Sequence, residues 1–517
     1  MTSTNAPATA VASDAPSAHK RLRPGALGLG GVVFTVLATA APITAMTGNV
    51  PIAVASGSGA GTPATFILAT AILVVFTIGY SAMARHITAT GAFYGFITRG
   101  LGRVAGLASG LVATLAYIVF ESSLVGIFAS FFKVNVETFG GPHLSWIVYA
   151  LFGIAVICAL GHFDVQLSGR VLGVFLIAEV LILLLMSFAV LLRGGGPDGL
   201  MPHTLNPAAG FTAVKGGSVA IGLFFALWSW VGFETTAVYG EESRNPTRII
   251  PRATLIVVTA LGVLYTFVSW AAVAGNGTAN AVAIAGGSTG NPFDLFLGIT
   301  QSFVGGWAKD VYLVLTVTGS FACALAFHNS ASRYLYAIGR EGLHRALTPL
   351  GGTHDKHRSP HVASLVQSLI TVLITLYFYV FQAPSKAAPD VPYYYEFGLL
   401  AIMGTMGILI VQAVTSLSVV WYFHVQGNHP ATRSWWRTLL APLLGAAGMG
   451  WVVYLLFSNL GFAAGAASDS PVYTLTPYLV IGTGVLGVVV ALVLRRVNRP
   501  AYERIGSTVL AESHERD

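Results

Sequence analysis

Runs of about 20 consecutive apolar residues recur along this chain from near its start to near its end. Each run is long enough for one α-helix to cross the ~30 Å hydrocarbon core of a bilayer. Lipid cannot satisfy a free backbone N–H or C=O group, so a run of this length that crosses a membrane is expected to be helical. The composition agrees, since 55% of the 517 residues are hydrophobic and only 9% are charged. The sequence therefore predicts an all-α, multi-pass membrane protein.

The apolar runs predict about twelve transmembrane helices in one bundle. They lie at about 26–53, 64–84, 102–130, 144–161, 170–192, 216–240, 253–275, 307–338, 361–381, 396–424, 438–458 and 474–495. These predicted spans are named helix 1 to helix 12 in chain order.

The basic residues lie between the apolar runs rather than in one patch, so they are topology signals and not a nucleic-acid surface. With successive loops on alternate sides, the side that holds both termini collects nearly all of the 27 Lys and Arg residues. The opposite side has only Lys133, Arg193, Lys215, Lys309 and Lys386. Because basic loops stay inside the cell, both termini are predicted to be cytoplasmic, in a protein of the inner (cytoplasmic) membrane.

The two ends of the chain differ from its middle. Residues 1–24 are rich in Ala, Ser, Thr and Pro and include the basic sequence HKRLR, which indicates a disordered cytoplasmic tail and not a cleavable signal peptide. We expect a ten-helix core over residues 25–424, two peripheral helices over 425–496 and a second cytoplasmic tail over 497–517. Cys158 and Cys323 lie inside apolar runs, which favours buried thiols over a disulfide.

Helix 1 contains the segment TAAPITAMTG, residues 39–48. Pro42 lacks the N–H that a helical turn needs, and Thr44, Thr47 and Gly48 surround it. Free backbone groups persist at mid-membrane only where they line a cavity or hold a polar ligand. We therefore predict a broken helix at a binding site. The alternative is a simple proline kink in a helix that faces lipid.

Helix 6 is predicted to be the counterpart of helix 1. If the core consists of two sets of five helices, the second set enters the membrane in the opposite sense because five is odd, which is the inverted-repeat arrangement of secondary transporters. Helix 6 reads GGSVAIGLFFALWSWVGFETTAVYGEE, with Gly232, Glu234, Thr235 and Thr236 in its second half. Two broken helices in matching positions point to a binding site near the bilayer midplane.

Three segments carry a family resemblance: GFETTAVYGEESRNPTRIIPRA at helix 6, HNSASRYLYAIGREGLHRALTPLGGTHDKHRSPHVA after helix 8, and TATGAFYGFITRGLGRVAG between helices 2 and 3. They resemble the amino acid/polyamine/organocation (APC) permeases. The resemblance implies a leucine-transporter-like fold with a 5+5 inverted repeat, alternating access and uptake of an amino acid or a related amine. Many of these permeases have a GSG-type glycine motif where this chain has Thr44, Ala45 and Met46.

A zwitterionic amino acid needs hydrogen-bond donors for its carboxylate and acceptors for its ammonium, and a broken helix offers both. The predicted carboxylate ligands are the backbone groups of Thr44, Ala45, Met46 and Thr47. The predicted ammonium acceptors are the carbonyls near Ala40, Ala41, Val231 or Phe233.

The resemblance also implies roles for aromatic and small residues. Trp228 matches an aromatic that covers the substrate and so acts as a gate, while Gly232 matches the small residue that lets the substrate approach the backbone. Trp230 is expected to pack between helices. In helix 8, Phe321 is a candidate for the binding site, although the sequence does not indicate which face of that helix lines it.

Three acidic residues, Glu121, Glu179 and Glu234, lie inside predicted spans, where a charge costs several kcal/mol and is usually functional. Glu179 lies in VFLIAEVLILLLM, where the family often has an ionisable residue linked to proton coupling. It is the predicted proton carrier, or else a neutral, hydrogen-bonded structural acid. Glu121 lies one turn after Tyr117 on the same face and is a candidate ligand for a cationic substrate group. Glu234 is predicted to be a gate or to stabilise the break.

These observations predict a secondary active transporter that imports an amino acid with protons. An amine or polyamine permease or an amino-acid exchanger is the alternative, and a transporter-like solute sensor is a third. We find no P-loop and no catalytic triad, so no enzyme activity, catalytic residue or cofactor is predicted. The loop histidines His354, His357 and His361 do not have the spacing of a helical metal-ligand pair, and no metal site is predicted. The sequence does not indicate an oligomeric state.

Overall fold

The computed structural model of the protein describes residues 27–89, 93–162, 169–238, 243–353, 359–386, 388–458, 467–468, 470–507 and 509–512. The predicted tail over residues 1–24 lies outside this part of the chain, as do residues 513–517 and the loop histidines His354 and His357. Within the described ranges the protein is almost entirely helical, as predicted.

The α-helices, numbered in chain order, are α1 (Leu29–Ala40), α2 (Pro42–Ile52), α3 (Thr62–Ala84), α4 (Phe93–Leu101), α5 (Arg103–Thr138), α6 (Trp146–His162), α7 (Gly169–Leu192), α8 (Val219–Trp228), α9 (Thr235–Val238), α10 (Pro246–Asn276), α11 (Thr278–Ala285), α12 (Asp294–Phe303), α13 (Gly306–Glu341), α14 (His361–Phe381), α15 (Gly398–Val420), α16 (Ala441–Ser458), α17 (Pro471–Val497) and α18 (Arg499–Arg504). Two short strands are β1 (Ile87–Ala89) and β2 (Val509–Glu512).

Ten helical segments of the described chain are long and apolar enough to cross a membrane. Two further apolar helices, α6 and α8, are shorter, and they occupy the positions of predicted helices 4 and 6. The chain is therefore an all-α, multi-pass membrane protein, as its apolar runs predict.

The first predicted span is divided at Ala41, which has φ 39° and ψ 75° and separates α1 from α2. Pro42 is the first residue of α2, a position where a missing N–H costs nothing. The break therefore precedes the proline, and Thr44, Thr47 and Gly48 lie in regular helix rather than in the interruption.

The sixth predicted span is divided between α8 and α9. After Trp228 the chain turns through residues 229–234 before helix resumes at Thr235. Gly232 has φ +114°, a conformation that residues with a Cβ rarely adopt. The prediction of two broken helices is thus confirmed at the level of the backbone.

The two longest helices, α5 and α13, pack along each other and form the centre of the bundle. Helix α1 contacts α10 and α13, and helix α2 contacts α8, α10 and α13. The break in the first span and the break in the sixth span therefore lie in the interior of the bundle, where lipid does not reach their free backbone groups.

The segment that follows α17 is folded onto the rest of the protein. Strand β2 pairs antiparallel with β1, and Arg504 donates from Nε to the carbonyl of Glu341 at 2.8 Å. The N–H of Gly506 donates to Oε1 of the same Glu341 at 2.7 Å, and the Tyr94 hydroxyl also donates to this carboxylate. The predicted tail over 497–517 thus contains a helix and a strand that hold the ends of α3 and α13 together.

Candidate functional site

A small cavity lies between the two helix breaks. Its volume is about 20 Å³, which is room for about one water molecule. Typical small-molecule pockets measure about 300–1,000 Å³, so the lining must move before it can hold an amino acid. The lining residues are Ala40, Thr44, Ala45, Asn49, Leu124, Trp228, Ser229, Val231, Cys323, Phe327 and Phe397.

The carbonyl groups at the end of α1 turn toward neighbouring side chains. The thiol of Cys323 donates to the carbonyl of Thr39 at 3.1 Å, and the Tyr265 hydroxyl lies 3.4 Å from the carbonyl of Ala40. Cys323 is buried in α13, as the sequence predicts for its thiol. These carbonyls make the end of α1 an acceptor surface at the edge of the cavity.

The N–H groups at the start of α2 form the donor side. The first hydrogen bond within α2 runs from the N–H of Ala45 to the carbonyl of Ala41, at 3.0 Å. The N–H groups of Ile43 and Thr44 therefore have no acceptor on their own helix. The N–H of Ile43 donates to the carboxyl of Glu179, and Thr44 lines the cavity.

The free N–H groups at the start of α2 lie earlier in the chain than most of the predicted carboxylate ligands. Because the break lies at Ala41, the N–H of Ala45 is already used within the helix. Met46 is fully buried outside the cavity, and the hydroxyl of Thr47 lies 2.7 Å from that of Tyr312. Of the four predicted positions, Thr44 and Ala45 line the cavity, and Met46 and Thr47 do not.

Glu234 holds the break of the sixth span in place. Its Oε2 accepts the Gly232 N–H at 3.0 Å, and its Oε1 accepts the Tyr117 hydroxyl at 2.8 Å. The Thr235 hydroxyl donates to the Gly232 carbonyl at 2.6 Å. The carboxyl therefore accepts hydrogen bonds from one backbone and one side-chain donor around the turn.

The two breaks approach each other at Gly232. A Cβ on this glycine would lie 3.1 Å from Cγ2 of Thr39, near the end of α1. Gly232 itself does not line the cavity, and the ring of Phe233 packs on Phe76 with 6.0 Å between centroids. The positive φ and the close approach to Thr39 both favour glycine at this position.

The walls of the cavity are mostly apolar. The ring of Trp228 packs on Phe120 with 4.5 Å between centroids. Leu124, Phe327 and Phe397 complete the apolar walls, and no charged side chain is among the lining residues. Sequence reasoning missed these three residues because nothing distinguishes them from ordinary packing residues.

Two polar side-chain atoms at the cavity have no hydrogen-bond partner among the described residues: Oγ1 of Thr44 and Oδ1 of Asn49. The Asn49 side chain also donates from Nδ2 to the Ser229 hydroxyl at 3.0 Å, and so joins the first span to the turn after α8. Asn49 was missed in the sequence, although it lies four residues after Ala45 and shares its helix face.

If the unpartnered Oδ1 of Asn49 accepts a hydrogen bond from a charged substrate group, replacing Asn49 with alanine is expected to raise the KM for substrate roughly tenfold or more, since such a bond contributes about 1.5–3 kcal/mol. The measurement is the concentration dependence of uptake into proteoliposomes. Thr47→Val is the matched control, since it removes a hydroxyl from α2 on the side of Tyr312. An equal rise in KM for both variants would show that Asn49 acts only through the helix.

Glu121 lies in a separate buried network. Its Oε1 is 3.0 Å from Nδ1 of His328, and its Oε2 accepts the amide of Gln367 at 2.5 Å. Nε2 of His328 lies 2.8 Å from the Ser364 hydroxyl. The carboxylate thus connects α5, α13 and α14, and Glu121 is not among the residues that line the cavity.

Two further predicted site residues pack elsewhere. Tyr117, which donates to Glu234, stacks on Tyr334 with 4.9 Å between ring centroids. Phe321 packs on Phe128 at 5.9 Å. The face of α13 that lines the cavity is instead that of Cys323 and Phe327.

Glu179 reaches the first helix break from α7. Its side chain is 3% exposed, and its second oxygen, Oε2, has no hydrogen-bond partner in the described part of the protein. A Cβ on Gly319 of α13 would lie 2.9 Å from Glu179 Oε1 and 2.7 Å from Cγ2 of Ile43. Helices α2, α7 and α13 therefore meet at one buried carboxyl beside the N–H end of α2.

The family described as amino acid permease matches residues 33–486. The chain is 22% identical over 339 residues to the branched-chain amino acid permease BcaP of Bacillus subtilis, covering 61% of this chain and 67% of that relative. It is 24% identical over 339 residues to BcaP of Lactococcus lactis, covering 62% and 67%. It is 26% identical over 359 residues to the aromatic amino acid transport protein AroP of Escherichia coli K12, covering 63% and 66%. The family match spans most of the chain and includes both helix breaks, so this protein belongs to the amino acid permeases of the APC superfamily.

Proposed function

We propose that the protein is a secondary active transporter that imports a neutral amino acid with an apolar side chain across the cytoplasmic membrane, together with protons. The observation that carries this proposal is the cavity between the two helix breaks. Backbone donors at the start of α2 and carbonyls at the end of α1 suit a carboxylate and an ammonium, respectively. The remaining walls are apolar.

The relatives support this substrate class. Two of them are named for branched-chain amino acids and one for aromatic amino acids. A polyamine would need an acid for its second ammonium, and Glu121, the predicted candidate, is already held by His328 and Gln367. Family membership also supports transport rather than an enzymatic reaction.

Alternating access follows from the same arrangement in this proposal. Substrate entry would enlarge the cavity by moving Trp228 away from Phe120, which gives Trp228 the role of a gate. The broken first and sixth spans would then move together, because Asn49 is bonded to Ser229 across them. Glu234 would keep the turn of the sixth span intact during this motion.

Proton coupling is assigned to Glu179. A protonated carboxyl keeps one oxygen as an acceptor for the Ile43 N–H, whereas an ionised carboxyl attracts the N–H end of α2 more strongly. Protonation would thus change the attraction between α7 and α2. In this scheme the proton enters from outside and is released inside together with the substrate. Both termini lie on the cytoplasmic side.

Competition for uptake into proteoliposomes tests the substrate class. Unlabelled leucine, isoleucine or phenylalanine is expected to compete with radiolabelled leucine at low concentration, whereas lysine and putrescine are expected not to compete, because no acid lines the cavity. Competition by putrescine without competition by neutral amino acids would instead identify an amine permease. Binding of leucine without any counterflow would identify a sensor.

A further inference from the structure

A second cavity, which is polar and shares no lining residue with the first, lies on the membrane face that carries α18 and β2. It has a volume of about 600 Å³ and is lined by Arg85, Thr247, Arg248, Pro251 and Arg252. Arg85 follows the end of α3, and the other four residues belong to the first turns of α10. Three arginines therefore converge on one space from two helices.

An adjoining cavity of about 420 Å³ shares Arg85, Pro251 and Arg252 with the first. It extends to the turns that precede α16, where Arg437 adds a fourth guanidinium. Its other walls are largely apolar and include Ile78, Leu255, Phe423 and Trp436. The two cavities together form a space with a cationic end and an apolar end, called here the arginine cavity.

The charge of the arginine cavity is not neutralised within the described protein. Arg85, Arg248, Arg252 and Arg437 are exposed, and none of them forms an ion pair with a described acidic side chain. Guanidinium groups stay protonated at any physiological pH. Burial, with His429 and Arg85 close by, lowers the pKa of His86 to about 4, so this lining histidine adds no charge near neutral pH.

We propose that the arginine cavity binds an anionic phospholipid of the adjacent leaflet. Guanidinium groups bind phosphate oxygens through paired N–H donors, and basic pockets between transmembrane helices bind acidic headgroups. The apolar walls beside the arginines suit an acyl chain, which a free phosphate ion does not have. Trp436 also lines this space next to Arg437 in the chain, and tryptophan is favoured at membrane interfaces. The occupant joins α3 and α10 to the turns before α16.

Reconstitution in nanodiscs tests the proposal. The wild-type protein is expected to melt at a higher temperature in discs of phosphatidylglycerol and phosphatidylcholine than in phosphatidylcholine alone, because a ligand of the folded state stabilises it. Arg85→Gln with Arg252→Gln is expected to weaken phosphatidylglycerol binding by about tenfold or more and to remove most of this increase. Arg495→Gln with Arg496→Gln is the matched control, since it removes the same charge from the last turn of α17.

The two double variants give opposite expectations. The control is expected to keep the full increase in melting temperature. A full increase in the Arg85→Gln, Arg252→Gln variant, or an equal loss in both variants, would refute a specific site and leave only general attraction between basic residues and anionic lipid.

Two measurements on the wild-type protein need no variant. Native mass spectrometry is expected to show retention of phosphatidylglycerol in preference to phosphatidylcholine. Inorganic phosphate, added to discs of phosphatidylcholine alone, is expected not to reproduce the increase in melting temperature. The same increase with inorganic phosphate, together with no retained phosphatidylglycerol, would show a site for soluble anions and overturn the lipid proposal.

Discussion

Replacing Glu179 with glutamine is expected to abolish accumulation of substrate driven by an acidic exterior while leaving substrate exchange largely intact. Glutamine has nearly the same volume and keeps an oxygen that can accept the Ile43 N–H. It cannot gain or lose a proton, so movement of substrate would no longer be linked to movement of protons. The measurements are acid-driven uptake and counterflow at equal pH, made on the same proteoliposomes.

The direction of the pH effect separates this proposal from a structural role. Wild-type uptake is expected to rise as the outside pH falls, because protonation of Glu179 from that side becomes more frequent, and the variant is expected to show no such rise. Glu396→Gln is the matched control, since Glu396 is equally buried but accepts from Thr375 at 2.6 Å, away from the first helix break. Normal acid-driven accumulation in Glu179→Gln would exclude Glu179 as the proton carrier.

Replacing Gly232 with alanine is expected to reduce transport at least about tenfold, while the protein still reaches the membrane and folds. At φ +114° a residue with a Cβ is strained, which costs about 1–3 kcal/mol. The new methyl group would also lie 3.1 Å from Cγ2 of Thr39, where the two broken helices meet. The turn after α8 and the end of α1 would both have to shift, and the cavity between them would change shape. Uptake is measured per amount of folded protein.

Gly216→Ala separates backbone strain from disturbance of the site. Gly216 also has a positive φ, +79°, but a Cβ there would meet no atom within 4 Å. We expect a loss of stability similar to that of Gly232→Ala and transport close to that of the wild type. If both variants lose transport equally, general destabilisation and not the contact with Thr39 explains the effect.

The sequence predicts the existence of the first break better than its position. A proline inside an apolar run is visible evidence of interrupted helix, and the interruption is present. The residue that leaves the helical conformation is Ala41, because proline restricts the residue before it and itself adopts a helical φ. The predicted segment, residues 39–48, therefore includes the break, but only the backbone conformation shows that it lies at Ala41.

Most contacts of the candidate site that the sequence does not reveal join residues that are far apart in the chain. A buried acid needs a partner, but the sequence does not show that Glu121 finds His328, which is 207 residues away. Glu234 accepts from the Gly232 N–H, two residues away, and from Tyr117, and only the first of these contacts is local in the sequence. Phe327 and Phe397 line the cavity only through packing of α13 and α15 against the broken helices, a relation that periodicity within one helix does not contain.

The folded segment after α17 affects how this permease can be engineered. A truncation after residue 498, chosen as if a flexible linker followed, would remove the Gly506 N–H from the buried carboxylate of Glu341 and the Arg504 donors from the end of α13. It would also leave β1 without its partner strand. Purification tags and fluorescent reporters should therefore be joined beyond Glu512, with a spacer that allows β2 to remain paired.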